Sequence, residues 1–272
     1  MKRLGNRVAV ITGAGAGIGK GIARRYAAEG ATLVLAEYDA TTGAQAAEEV
    51  RREFGATAEF VHADVTRRPE VEAMIQTALQ RFGKVDILVN NAWARRRGGP
   101  FAARVEQQTQ ADLDHAWRIG ALSALWAMQA VFPSMRAQRW GRIVNLCSLN
   151  GVNAHPFTVD YNMAKEALRT LTRTAAREWA PYQICCNVIC PGAATEAYRK
   201  FAEANPENAA AMLKLNPMGR MGDPEMDIGS VALFLASEDC RYLTGNTLFV
   251  DGGSHINGVP WSPPLPESPV PA

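Results

Sequence analysis

Val8-Ala-Val-Ile-Thr-Gly-Ala-Gly-Ala-Gly-Ile-Gly19 is the stretch whose reading decides the fold. Residues 8–11 form an apolar run of strand character, residues 12–19 hold four glycines, and residues 18–29 carry the apolar periodicity of a helix. That order is a phosphate-binding order. Residues without Cβ let the backbone come close to a pyrophosphate, and the unpaired N–H groups at the positive end of the helix face its charge. A strand before the glycines and a helix after them is the context in which such a cluster carries weight.

Outward from this unit the chain keeps alternating. Gly30 sits where a helix C-terminal glycine belongs, and residues 31–36 read as a fully buried strand closed by Glu37. A helix over 41–54, with Thr41 as its N-cap and Gly55 at its end, leads to a third strand at 57–62. A helix from about Pro69 to Phe82 and a strand over 85–92 follow, then a long helix over 107–136, apolar at Trp117, Ala121, Leu125, Met128 and Phe132. Strands at 141–148 and 183–189 flank a helix that opens at Tyr161, a helical Met- and Ala-rich segment covers 196–226, and another helix begins at Asp227. The pattern predicts an α/β fold, a doubly wound parallel sheet of about seven strands flanked by helices, in one domain over 1–255. The tail changes composition, with six prolines between Ser254 and Ala272. It is neither a helix nor a central strand, and reads either as a disordered end or as an extended arm docking Trp261 on a neighbouring subunit.

Composition narrows the function. A chain of 272 residues buries a sizeable core, and a formal charge of +2 gives no argument for nucleic acid or a membrane surface as partner. No apolar run reaches the roughly 18 residues of a membrane span, and Met1 to Asn6 runs into a strand rather than a signal-peptide core. Cys147, Cys185, Cys186, Cys190 and Cys240 are odd in number and lie in apolar segments, as buried thiols in a reducing cytoplasm do. The four histidines show no ligand spacing, so no metal site is expected.

Candidate site residues fall at strand ends. Glu37, 18 positions past Gly19 at the tip of the second strand, is placed to accept hydrogen bonds from adenosine ribose hydroxyls and to repel a 2′-phosphate. Since the glycine loop offers no Arg or Lys, NAD is expected over NADP, unless Glu37 is a solvated strand end and Asp39 does the work or neither does. Tyr161 and Lys165 lie at i, i+4, so phenol and ammonium share one helical face, thirteen residues after Ser148 at a strand end. Cys147 faces away from Ser148 on strand alternation.

Thr12-Gly13-x-x-x-Gly17-Ile18-Gly19, Asn90-Asn91-Ala92, Ser148 and Tyr161-x-x-x-Lys165, in that order, resemble the short-chain dehydrogenase/reductase family over residues 5–253. The resemblance implies NAD(H)-dependent interconversion of a secondary alcohol and a ketone, with Ser148, Tyr161 and Lys165 as catalytic residues. Cofactor contacts are implied for Thr12, Gly13, Gly15, Gly17, Ile18, Gly19, Glu37, Asp64, Val65, Asn91, Ala92, Tyr161, Lys165, Pro191, Gly192 and Thr195. Asp64 alternatively caps the helix that follows it. The chemistry suits the residue types: a free tyrosine has a pKa of about 10, so a base for the alcohol proton needs positive neighbours to stabilise its phenolate. The family's helices near 107–136 and 160–179 imply a homo-oligomer, tetramer or dimer, and its segment at 193–226 a flap over a small-molecule substrate.

Two positions depart from the family pattern. Trp93 stands where glycine is expected and demands either a rearranged loop or a ring in the pocket wall; Gly120 stands where an asparagine helps hold a proton-relay water. Arg95, Arg96 and Arg97 form either a solvated loop or an anchor for an acidic substrate or neighbouring subunit. Trp93, Leu149, Phe157 and Tyr198 point to a cyclic or aromatic alcohol, while Asn150, Asn153 and His155 point to a more polar one. An epimerase or dehydratase that retains NAD, and a non-catalytic dinucleotide sensor, remain alternatives.

Overall fold

The computed structural model describes residues 2–99 and 102–256. Seven parallel strands form one sheet in the order β3-β2-β1-β4-β5-β6-β7. The first half comprises β1 (Val8–Thr12), α1 (Gly17–Ala28), β2 (Thr32–Glu37), α2 (Ala40–Phe54), β3 (Ala58–His62) and α3 (Arg68–Phe82). Then come β4 (Ile87–Asn90), α4 (Gln110–Trp117), α5 (Ser123–Gln138), β5 (Gly141–Leu146), the short α6 (Leu149–Val152) and α7 (Val159–Trp179). The chain closes through β6 (Ile184–Pro191), α8 (Glu196–Ala204), α9 (Pro206–Leu215), α10 (Gly229–Ala236) and β7 (Thr247–Val250). This is a doubly wound, Rossmann-like single domain. The proline-rich tail from 257 onward, Trp261 included, lies outside the described residues, as does Pro100.

Two-residue alternation divides the core between the faces of the sheet. Ala9, Ile11, Leu33 and Leu35 meet Ile22 of α1, Val50 of α2 and Leu233 of α10; Val10, Val34 and Leu88 meet Met74 of α3, Met128 of α5 and Ala176 of α7. Strands buried on both sides read as continuous apolar runs, which is why they stood out in the sequence. Each fully buried Ile or Leu side chain contributes roughly 2 kcal/mol of transfer free energy. Because β1 and β4 are neighbours, the winding reverses beside the glycine turn, and the carboxyl ends of both strands open there on a common crevice.

Three local expectations are corrected. Asp39, not Thr41, caps α2, its carboxylate accepting from the Thr42 N–H at 2.9 Å; Asp39 has the extended backbone of an N-cap, while Thr41 already lies inside the helix that starts at Ala40. Asp64 does not cap α3, whose N-cap is Arg67; it accepts instead from the N–H and hydroxyl of Thr66. The long helix over 107–136 is broken into α4 and α5 by a π-helical turn at Arg118–Leu122, centred on Gly120. Trp117 is 47% exposed in the single chain.

Candidate active site

The glycine turn is shaped by close approach. Gly13 and Gly17 are left-handed, at φ 64° and 54°, and a Cβ at Gly19 would lie 2.1 Å from the Gly13 carbonyl oxygen. A Cβ at Gly13 would lie 2.9 Å from Ala92 Cα, so the turn packs against the end of β4 as well. Thr12 makes that join: its hydroxyl accepts from the N–H groups of Asn91 and Ala92 at 3.0 and 3.1 Å. The Asn91 amide donates back to the Thr12 and Gly13 carbonyls at 2.9 and 3.0 Å. No side chain caps the N-terminus of α1 and its first turn has no acid, so these N–H groups stay available to an anion.

Glu37 is an anchored carboxylate rather than a loose strand end. One oxygen accepts from the Gly15 N–H at 3.0 Å, and the other from the N–H groups of Tyr38 and Asp39 at 2.8 and 3.2 Å. Asp39 is occupied as a helix cap. Three backbone donors hold the charge of Glu37 at the mouth of the glycine turn.

A cleft of about 910 Å³ runs from this point along the carboxyl edge of the sheet. Gly13, Gly17, Ile18, Glu37, Asp64, Val65, Asn91, Ala92, Tyr161, Lys165, Pro191 and Thr195 line it. The predicted residues Thr12, Gly15, Gly19, Ser148 and Gly192 lie outside that lining and act on its walls. Gly192 donates to the Val250 carbonyl at 2.8 Å and accepts from Gly222 at 2.9 Å, tying the segment after β6 into place. Thr195 caps α8 by accepting from the Tyr198 N–H at 3.3 Å, while its methyl carbon lies 3.5 Å from where a Gly17 Cβ would be. It thus bridges the helical segment 196–215 to the glycine turn.

At the other end of the cleft, Ser148 follows β5 and caps α6, accepting from the Asn150 N–H at 3.1 Å, and its hydroxyl is near enough to the Tyr161 phenol to pull its pKa down. Tyr161 and Lys165 project from the first turns of α7. Lys165 is buried and donates to the Leu146 carbonyl at 2.7 Å. Desolvation lowers its pKa. Burial pushes the Tyr161 phenol up to about 12, against the pull of the Ser148 hydroxyl. Burial outweighs that pull, and the Lys165 ammonium, 5.7 Å from the phenol ring centre, donates to the Leu146 carbonyl. Cys147 is inert, its thiol donating to the Lys165 carbonyl at 3.3 Å and pushed by burial up to about 12.

Trp93 resolves to pocket wall. Its ring lines the cleft and meets Tyr161 edge-on, with centroids 4.6 Å apart at 77°. Arg95 and Arg97 also line the cleft, whereas Arg96 pairs with Asp112 at 2.7 Å. Leu149, Asn150, Asn153, His155, Phe157 and Tyr198 do not line it. Tyr38, His115 and Ile119 are among the lining residues that escaped the sequence reading. The i, i+4 spacing of His115, whose Nε2 lies 2.9 Å from the Ala94 carbonyl, and Ile119 in the π turn was the available signal.

Comparison with known proteins places this geometry. The family model described as Enoyl-(Acyl carrier protein) reductase matches residues 13–255. The chain is 37% identical over 253 residues to 12alpha-hydroxysteroid dehydrogenase of Clostridium sp., covering 91% of this chain and 96% of that protein. It is 33% identical over 258 residues to cyclopentanol dehydrogenase of Comamonas sp., covering 94% and 100%. The crystal structure of levodione reductase superposes with a TM-score of 0.87 at 31% identity, covering 93% of this chain and 99% of that one.

Proposed function

We propose, from the premise that this chain belongs to the short-chain dehydrogenase/reductase family, that it interconverts a cyclic secondary alcohol and its ketone with NAD(H). The observation that carries the reading is the convergence of the Ser148 hydroxyl, the Tyr161 phenol and the buried Lys165 ammonium at one end of a cleft whose other end holds the Glu37 carboxylate.

The dinucleotide fits the residues present. Glycines at 13 and 19 let the turn fold back on itself and on the end of β4 where a Cβ would collide, and the uncapped end of α1 offers N–H donors for a pyrophosphate. Gly13, Gly17 and Ile18 would hold the phosphates, Glu37 the adenosine ribose, and Asp64 and Val65 the adenine. Asn91, Ala92, Lys165, Pro191, Gly192 and Thr195 would hold the nicotinamide half, with Thr12, Gly15 and Gly19 shaping the turn beneath. When bound, the nicotinamide supplies the hydride acceptor in oxidation and, reduced, the donor. NAD over NADP is supported by the fixed charge of Glu37. Arg97, whose guanidinium lies 5.6 Å over the Tyr38 ring on the same rim, favours NADP as the second reading.

Tyr161 moves the proton. In reduction the phenol protonates the carbonyl oxygen; in oxidation its phenolate takes the hydroxyl proton. Ser148 donates to the reacting oxygen as charge gathers there. A phenol near 12 is protonated at neutrality, which suits reduction, so the oxidative rate rises with pH as the phenolate fraction grows. The positive charge of Lys165 favours that phenolate. A cyclic substrate is supported by the relatives named for hydroxysteroid and cyclopentanol oxidation and levodione reduction, and by the indole wall at Trp93. A homo-oligomer, tetramer or dimer, is supported by exposed Trp117 and Met163 flanking a shallow groove between α4 and α7. Residues 193–226, with α8 and α9, form the flap over the substrate. The five buried free thiols support a reducing compartment, the cytoplasm.

Tyr161→Phe is the direct test. It removes the proton donor and leaves the ring, so ketone reduction falls by about a thousandfold while NADH binding, followed by fluorescence, stays within a factor of two or three. Retained turnover in the variant contradicts the reading.

A further inference from the structure

Positions 93 and 120 depart from the family pattern separately in the chain and meet in the fold. Gly120 lies in the π-helical turn at Arg118–Leu122, buried against α7. A Cβ there would lie 2.7 Å from Ala164 Cβ and 3.0 Å from Trp93 Cζ3. Ala164 directly precedes Lys165, so the turn presses on α7 where the ammonium leaves it. The indole that takes up the remaining room stands edge-on to Tyr161 and 5.3 Å from the Lys165 nitrogen.

We propose that Trp93 and Gly120 are a complementary pair in which the glycine makes room for the indole, and that the indole is the positioning residue of the reacting phenol, holding the Tyr161 ring and shielding Tyr161 and Lys165 from water on that flank. This rests on Tyr161 as the proton-transfer group. The edge of one ring against the other fixes the phenol laterally, and the indole face turns its negative quadrupole toward the ammonium. Ala164 leaves no room for a side chain at 120 and Trp93 occupies the approach, so the size of one residue constrains the other.

The environment around the phenol agrees with a dry flank. The titratable and charged groups facing Tyr161 are Lys165 on α7, Ser148 and Cys147 after β5, Cys190 in β6, and Arg95 from the segment after β4, itself paired with Asp160 at 3.8 Å. Desolvation is the largest influence on both Tyr161 and Lys165, in opposite directions. Admitting water on the Trp93 side relieves both, lowering the phenol pKa and raising that of the ammonium.

The experiment has two arms, neither needing turnover. Tyr161 ionisation is followed as tyrosinate absorbance in the apo-protein, with the corresponding Tyr161→Phe protein subtracted. Trp93→Ala lowers the midpoint by about one pH unit and Trp93→Phe restores most of it. In the second arm, the loss of thermal midpoint caused by Gly120→Ala is measured with Trp93 and with Trp93→Ala. The loss is smaller without the indole, the remainder coming from Ala164. Kinetics adds a readout: Trp93→Ala lowers kcat about tenfold or more and shifts the pH–rate profile with the phenol titration, and Trp93→Phe recovers both. An unchanged Tyr161 midpoint in Trp93→Ala, or an equal Gly120→Ala loss in both backgrounds, overturns the proposal. Should Tyr161→Phe retain activity, the proton-transfer reading fails instead, and the titration and stability arms still decide whether the pair exists.

Discussion

The two ends of the cleft are built on different principles. At the adenosine end the determinants are backbone: left-handed glycines, a carbonyl 2.1 Å from where a Gly19 Cβ would stand, and a carboxylate held by three peptide N–H groups. At the reacting end they are side chains in mutual contact: a phenol against an indole, an ammonium beneath both, and a glycine that yields its space. Backbone geometry tolerates few substitutions and repeats at fixed spacing. Side-chain packing tolerates exchanges of size between partners, so long as total volume is kept. On the proposed function, one end would bind the moiety that dinucleotides share, and the other would be free to vary with substrate.

Gly19→Ala should have the largest effect on this contrast. The Cβ meets a backbone oxygen that cannot rotate away, so the turn must open; we expect a loss of roughly 1–3 kcal/mol in stability and about a hundredfold or more in NAD affinity. Titration calorimetry with NAD checks it, and near-normal binding would break the claim that this end is rigid. Glu37→Ala should be milder. The Gly15 N–H loses its acceptor and the ribose hydroxyls theirs, so NAD binding weakens about tenfold while NADP binding holds or improves. Equal weakening of both would show that Glu37 shapes the turn without selecting the cofactor.

That division explains what could be read from the chain. The order of strands and helices, the glycine turn, Glu37 and the Tyr161–Lys165 spacing all depend on local geometry, which leaves a period or a fixed interval in sequence. The meeting of Trp93 with Gly120 does not, because 27 positions separate them and only the packing of α4, the π turn and α7 brings them together. Trp93 and Gly120 were each visible as departures; that one makes room for the other was not. The Asp39 cap was misplaced because Thr41 and Asp39 are both good caps, and only the backbone angle at 39 separates them. The burial that raises the phenol pKa was hidden for a similar reason: spacing puts Lys165 on the face of Tyr161, but only the packed fold shows how far both are removed from water.

The central claim is a pyridine-nucleotide dehydrogenase with a tyrosine proton carrier, selective for NAD at one end and for a cyclic secondary alcohol at the other. The measurement that tests it most directly is the initial rate of reduced-cofactor formation in the near ultraviolet, with cyclic and linear secondary alcohols, with NAD and NADP in parallel, as a function of pH. The account predicts turnover with NAD and cyclic alcohols, at least about tenfold better than with NADP, rising with pH because Tyr161 must lose its proton to act as base. No turnover on any alcohol despite NAD binding, or an oxidative rate that falls as pH rises through the neutral range, would contradict it.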